Sequence, residues 1–267
     1  MRDDLPHDPH PTRDLWFERD GVTLFAVESG LGPPIILLHG GLANHLACRL
    51  FATPLAARFR LITPDLRGSG RSIYAGPLTW DDLADDVAAL ARHLGLARAV
   101  IGGVSFGAGC AVRVALRHPA LTAGLVLLNP AYGGTALGLT PAQQDAMRAM
   151  DAAGSRAPAD GVQVLLPLLA ALPEPIQARA RAMVAGFDPA SVATSTRFMA
   201  SGAQPFADGA ELAAITAPTL LVPGTDPTHP AEVADVFRRH LPRCTVHATG
   251  PAGYAAAIAR FLDDVLG

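Results

Sequence analysis

Five short apolar runs constrain this chain more than any other feature. They are "PPIILLHGG" (33–41), "FRLITPD" (59–65), "ARAVIGGVS" (97–105), "AGLVLLNP" (123–130) and "PTLLVPGTD" (218–226). Each has a continuous rather than alternating apolar centre and stops at a glycine, proline or short polar residue. That pattern predicts strands buried on both faces, as in a parallel sheet. Helical stretches lie between them. "TWDDLADDVAALARHLGL" (79–96) offers Thr79 as an N-cap, acids in its first turns and an apolar stripe at helical spacing. Nearer the start, "LWFERDG" and "TLFAVESG" alternate apolar and polar residues around Asp20-Gly21, a hairpin signal. Strands alternating with helices predict an α/β fold with a mostly parallel sheet. Residues 1–13 are expected to be a flexible tail.

The alternation stops between Ala131 and Leu212, a stretch rich in Ala, Leu, Met and Pro. Short helical patterns such as "PAQQDAMRAMDAAG" and "PIQARARAMVAG" fill it. The reading is a helical cap over 131–212 set into a core of 14–130 and 213–267. Ligand sites in such sheets lie at the C-terminal ends of the strands, so a lid is favoured over a plain packing layer.

Composition narrows the function classes. The formal charge is −3 over 267 residues, with no basic stripe for nucleic acid and no polybasic run for an anionic membrane. Every cationic side chain is arginine, which excludes Schiff-base chemistry at lysine; with so much alanine and proline it suggests a bacterial, GC-rich genome. Cys48, Cys110 and Cys244 match no metal-ligand spacing and no disulfide framework, so a reduced, cytoplasmic setting is expected. The acidic, proline-rich N-terminus lacks the apolar core of a signal peptide. The apolar stretch around 99–116 is broken by glycines and Arg113 and reads as strand, turn and helix rather than a membrane span.

Gly103-Val104-Ser105-Phe106-Gly107 fits G-x-S-x-G between an apolar run and a helical stretch, the context that motif requires. Such a turn holds the serine in strained backbone geometry with its hydroxyl at a helix N-terminus, where unpaired N–H groups favour developing negative charge. A glycine-rich turn with a capping serine is the plainer reading. His39-Gly40-Gly41-Leu42 ends the "IILL" run, and glycines there let backbone N–H groups approach a substrate oxygen. Gly41 and Phe106 are the expected oxyanion-hole donors.

"LLHGG", "PDLRGSGRS" (64–72), "GGVSFGAG" and "PTLLVPGTD" stand in the order and rough spacing of the α/β-hydrolase family, which the chain resembles from about Leu15 to Leu266 outside the insertion. The resemblance implies an eight-stranded, mostly parallel sheet with a cap between strands six and seven, and a triad in the order Ser, acid, His. It implies no metal or organic cofactor, and a structural role for Asp65, Arg67, Gly68 and Gly70. Dehalogenases and epoxide hydrolases of this fold carry a carboxylate at the position of Ser105, which disfavours those chemistries. The resemblance assigns the acid to Asp226 in "VPGTD"; the fold's other acid position holds Asn129.

The base is the open question. The family places it after the last strand, where this chain reads "ATGPAGY", so that either Pro251 or Tyr254 stands at the histidine position. His247 comes too early, inside the expected strand. His229 lies three residues after Asp226, in a loop that edges the site in this fold. The expected base is His229, with His247 as the alternative and His45 or no histidine left open. Leu42, Asn44 and His45 are expected substrate contacts. The implied activity is a serine hydrolase on an ester, lactone, thioester or carbon–carbon bond of a small hydrophobic carbonyl compound. The alternative is a non-hydrolytic derivative, a cyclase or lyase of secondary metabolism or a ligand-binding pseudoenzyme, since fold does not fix function. No arginine clamp for an anionic substrate is obvious, though Arg179, Arg181 and Arg197 of the insertion could provide one. No nucleic acid or membrane partner is expected, and a homodimer is allowed.

Overall fold

A computed structural model describes residues 10–170 and 174–266. The tail expected over 1–13 is shorter among these residues: a strand already begins at Thr12, because Thr12–Arg19 (β1) pairs along its whole length with Val22–Ser29 (β2). Residues 1–9 lie outside the described residues. Asp20 and Gly21 close that hairpin with φ of 51° and 73°, the left-handed pair a two-residue turn needs.

The remaining strands are Pro34–Leu38 (β3), Arg60–Pro64 (β4), Ala99–Val104 (β5), Thr122–Leu128 (β6), Thr219–Val222 (β7) and Cys244–Val246 (β8). They form one eight-stranded sheet in the order β1-β2-β4-β3-β5-β6-β7-β8. The pairs β1·β2 and β2·β4 are antiparallel; all others are parallel.

Core helices cover both faces. His45–Ala52 (α1) and Tyr254–Leu266 (α10) lie on one, while Trp80–His93 (α2), Phe106–Arg117 (α3) and Ala231–His240 (α9) lie on the other. Neighbouring strand residues divide between the two faces. Ile35, Leu37, Val100, Val126 and Val222 join the α1/α10 side, and Ile36, Leu38, Ile101, Leu125 and Leu221 join the other. Both parities are apolar, which is why these runs show no alternation in the sequence. Thr79 caps α2 by accepting from Asp82 N–H at 3.0 Å.

Between β6 and β7 the chain leaves the sheet through Pro141–Gly154 (α4), Ala157–Asp160 (α5), a 3₁₀ segment Val162–Leu169, Glu174–Val184 (α6), Pro189–Ala200 (α7) and Gly209–Ala213 (α8). A capping box starts α4: Gln143 N–H donates to Thr140 Oγ1, and Gln143 Oε1 accepts from Thr140 N–H. Ala157, Leu165, Val184, Phe187 and Val192 form a small core inside this insertion, and α8 packs on α9 of the main body.

A buried ion cluster ties the sheet's edge to α2. Arg67 grips Asp86 through two bonds of 2.8 and 2.7 Å, and Arg19 adds a third at 2.9 Å. Among the described residues no helix is long and apolar enough to cross a membrane.

Candidate active site

Ser105 stands between β5 and α3, in the middle of the sheet. Its φ of 55° and ψ of −113° are strained for a residue with a side chain. The flanking glycines are there for space. A Cβ on Gly103 would lie 2.2 Å from the Gly107 carbonyl, and one on Gly107 would lie 2.4–2.5 Å from the carbonyls of Leu38 and His39. The sharp turn closes off Gly103 and the end of β3 closes off Gly107, so neither position can carry a side chain. Phe106 is the first residue of α3, so its N–H is one of the four a helix leaves without an internal partner.

Gly41 follows β3, the strand beside β5. Its loop is held from below by His39, whose Nδ1 donates to Gly40 O at 2.7 Å and whose Nε2 accepts from Leu66 N–H at 3.0 Å. Those two bonds define a neutral imidazole, and burial pushes its pKa down despite the neighbouring Asp65 charge. Above Gly41 lies Met199 of α7: a Cβ there would meet the Met199 sulfur at 2.4 Å.

The histidine that reaches Ser105 is His229. Its Nε2 is 2.8 Å from Ser105 Oγ, and its Nδ1 is 2.8 and 3.0 Å from the two oxygens of Asp226. Asp226 and His229 come from one turn after β7. Asp226 Oδ1 accepts from Thr228 N–H at 2.8 Å, Thr228 Oγ1 at 2.6 Å and His229 N–H at 3.1 Å, which folds the loop back so that the imidazole Nδ1 meets its own acid. Burial alone would raise the Asp226 carboxyl, but the bonds from Thr228 and His229 outweigh it and hold the group below the usual range. Gly224 makes this fold possible, since a Cβ there would strike His229 Cβ at 2.3 Å and His229 O at 2.4 Å.

The other candidates lie elsewhere. His247 falls one residue past β8, with its N–H on Leu221 O at 2.9 Å; among the described residues its ring makes no hydrogen bond. Pro251–Gly253 form a 3₁₀ turn, and Tyr254 opens α10 with 2% exposure and its ring edge against Phe51. Burial raises the Tyr254 hydroxyl; it lies close enough to Asn129 to feel its amide, but without a formed hydrogen bond. Asn129, φ 44°, ends β6 with its N–H on Val222 O.

Two expected substrate contacts are corrected. His45 is buried, its Nδ1 and N–H both bonded to Asp65 Oδ1 at 2.8 and 2.7 Å, and Phe25 packs on its ring. Asn44 is the N-cap of α1, accepting from Leu46 N–H at 3.0 Å. Both are consumed in anchoring α1. Leu42, φ 51°, is half-buried against the insertion's core. Sequence reasoning missed Gly224, Met199 and an aromatic layer of Trp80, Phe106, Tyr132 and Phe198 beside the serine. Among the described residues no group of three His, Cys, Asp or Glu side chains is arranged to hold a metal.

This elbow, loop and sheet order agree with a family model described as the alpha/beta hydrolase fold, which matches residues 33–257. The chain belongs to the α/β-hydrolase fold family. It is similar to the AB hydrolase superfamily protein YisY of Bacillus subtilis, 42% identical over 36% of this chain and 37% of the relative. It is also similar to haloalkane dehalogenase 2 of Mycobacterium tuberculosis, 31% identical over 48% of this chain and 46% of the relative. The match thus spans less than half the length of these curated relatives. Among solved structures, a thermophilic esterase from Thermogutta terrifontis superposes with a TM-score of 0.77 at 25% identity, over 95% of this chain and 99% of that one.

Proposed function

We propose that this α/β-hydrolase cleaves a carbonyl bond, an ester, lactone, thioester or carbon–carbon bond, of a small hydrophobic molecule with Ser105 as nucleophile. The observation that carries the reading is the relay from Ser105 Oγ to His229 Nε2 at 2.8 Å and from His229 Nδ1 to Asp226 at 2.8 Å. Ser105 Oγ attacks the carbonyl carbon as its proton passes to His229 Nε2. Asp226 holds Nδ1–H, keeps the imidazole in the accepting tautomer and stabilises the imidazolium. The N–H groups of Gly41 and Phe106 take the developing oxyanion. His229 then protonates the leaving group, and a water deprotonated by the same ring releases the acyl-enzyme.

The aromatic layer beside Ser105 favours an apolar substrate. The hydroxyl at position 105 weighs against the chemistry of the similar dehalogenase. His229 within bonding distance of Ser105 supports the hydrolytic reading over a non-hydrolytic derivative.

A fluorophosphonate probe and a series of p-nitrophenyl esters test the proposal. Labelling should be lost in Ser105→Ala. His229→Ala should lower kcat by about 10²–10⁴-fold, the usual worth of a general base, while His247→Ala stays near wild type. Full ester turnover in Ser105→Ala would sink the reading.

A further inference from the structure

An open cleft of about 630 Å³ lies between α7 and the loop that leads into α2. Pro77, Leu78, Trp80 and Phe198 make its apolar wall, Thr79 and Arg197 its polar part. Ser105 and His229 do not line it. Trp80 and Phe198 pack edge-on at 5.3 Å and both contact Phe106, so the aromatic layer stands between the cleft and the serine.

One charged group at this cleft has no partner in the fold. Arg197 is exposed and, among the described residues, forms no ion pair. The acids nearest in sequence to the cleft are already engaged. Asp81 pairs with Arg113 and Arg117; Asp82 pairs with Arg19 and accepts from Thr79.

We infer that this cleft is a second binding site, for a small amphipathic carboxylate whose head pairs with Arg197 and whose apolar body lies on Trp80, Phe198 and Leu78. One guanidinium fork matches one carboxylate. The volume falls in the range of small-molecule sites, and apolar walls with a few polar groups are what such sites use. This site is distinct from the chemistry proposed at Ser105 and does not depend on it.

The chain has two tryptophans, so a Trp16→Phe background leaves Trp80 as the sole indole reporter. Octanoate is titrated into that protein carrying Ser105→Ala, with emission and heat of binding both recorded. The result is therefore independent of whether Ser105 is a nucleophile. Octanoate should change Trp80 emission saturably, and Arg197→Gln should weaken binding roughly two- to fivefold, an exposed pair's worth. Arg197→Lys should restore part of the loss, and octanol should bind equally to both glutamine and arginine forms. Equal octanoate affinity in Arg197→Gln overturns the assignment, as does absence of both emission change and heat.

Discussion

Gly224 is the residue whose identity the site needs most and whose role the sequence least betrays. It was visible only as the glycine of G-x-D before Asp226. In the fold it is the floor on which His229 rests, with no room for a methyl group. Gly224→Ala should displace the imidazole by a fraction of an ångström to an ångström, and misplacement of that size costs about a hundredfold in rate. The expected result is a fall of that order in kcat/KM on a p-nitrophenyl ester with little change in Tm; unchanged kinetics would mean that the loop tolerates the methyl by shifting elsewhere. The strained turn at Ser105 and its glycines were legible, because a sharp strand-to-helix turn is a local backbone device written in adjacent residues. His229 was legible as a candidate because it shares one turn with Asp226. His45 and Asn44 were misread as substrate contacts because burial against Asp65 and capping of α1 depend on which way a loop turns.

At the scale of elements, α7 is the helix that couples the insertion to the site. Successive residues have separate tasks: Arg197 and Phe198 face the cleft, and Met199 covers Gly41. Met is unbranched and adaptable, so it fits as a soft wall over an oxyanion loop. Met199→Ala should open that wall, raising kcat/KM for a bulky acyl ester relative to acetate by roughly tenfold. It should also lower stability by about 2–5 kcal/mol, since Met199 is 4% exposed. A variant equally selective for acetate would show that Met199 does not bound the acyl group. The sequence located the helical insertion between the correct strands. It could not tell which helix lies over the oxyanion loop, since that contact joins residues far apart along the chain.

For the whole molecule, the buried imidazole of His39 links two loops across the sheet's C-terminal edge, and this makes stability depend on pH. Its pKa is lowered in the fold from an ordinary 6.5. Below 6.5 the unfolded chain takes up a proton that the folded protein refuses, so stability is full above 6.5 and falls as pH drops toward the folded pKa. Wild-type Tm should decline through that window. His39→Gln keeps one acceptor and one donor without a titrating ring, so its decline should be shallower; parallel Tm curves would show that His39 does not set the slope. Asp65 acts at lower pH. Burial would raise its carboxyl, but the bond and charge of His45 outweigh it, so its contribution is present above 3.8 and lost as pH falls through its folded pKa.

Sequence alone determined the α/β class, the strand runs, the elbow and the place of the insertion, because each follows from residues near one another and from which backbone shapes they allow. Tertiary structure decided the rest. The parity that sends Ile35 and Ile36 to opposite faces is hidden when both are apolar. Which histidine lies beside Ser105, open in the sequence among His229, His247 and His45, was decided only once β5 and β7 were set two strands apart in one sheet, bringing a loop at 226–229 onto a serine at 105. Distance across a sheet is a property of strand order, and strand order is not written in any one segment of the chain.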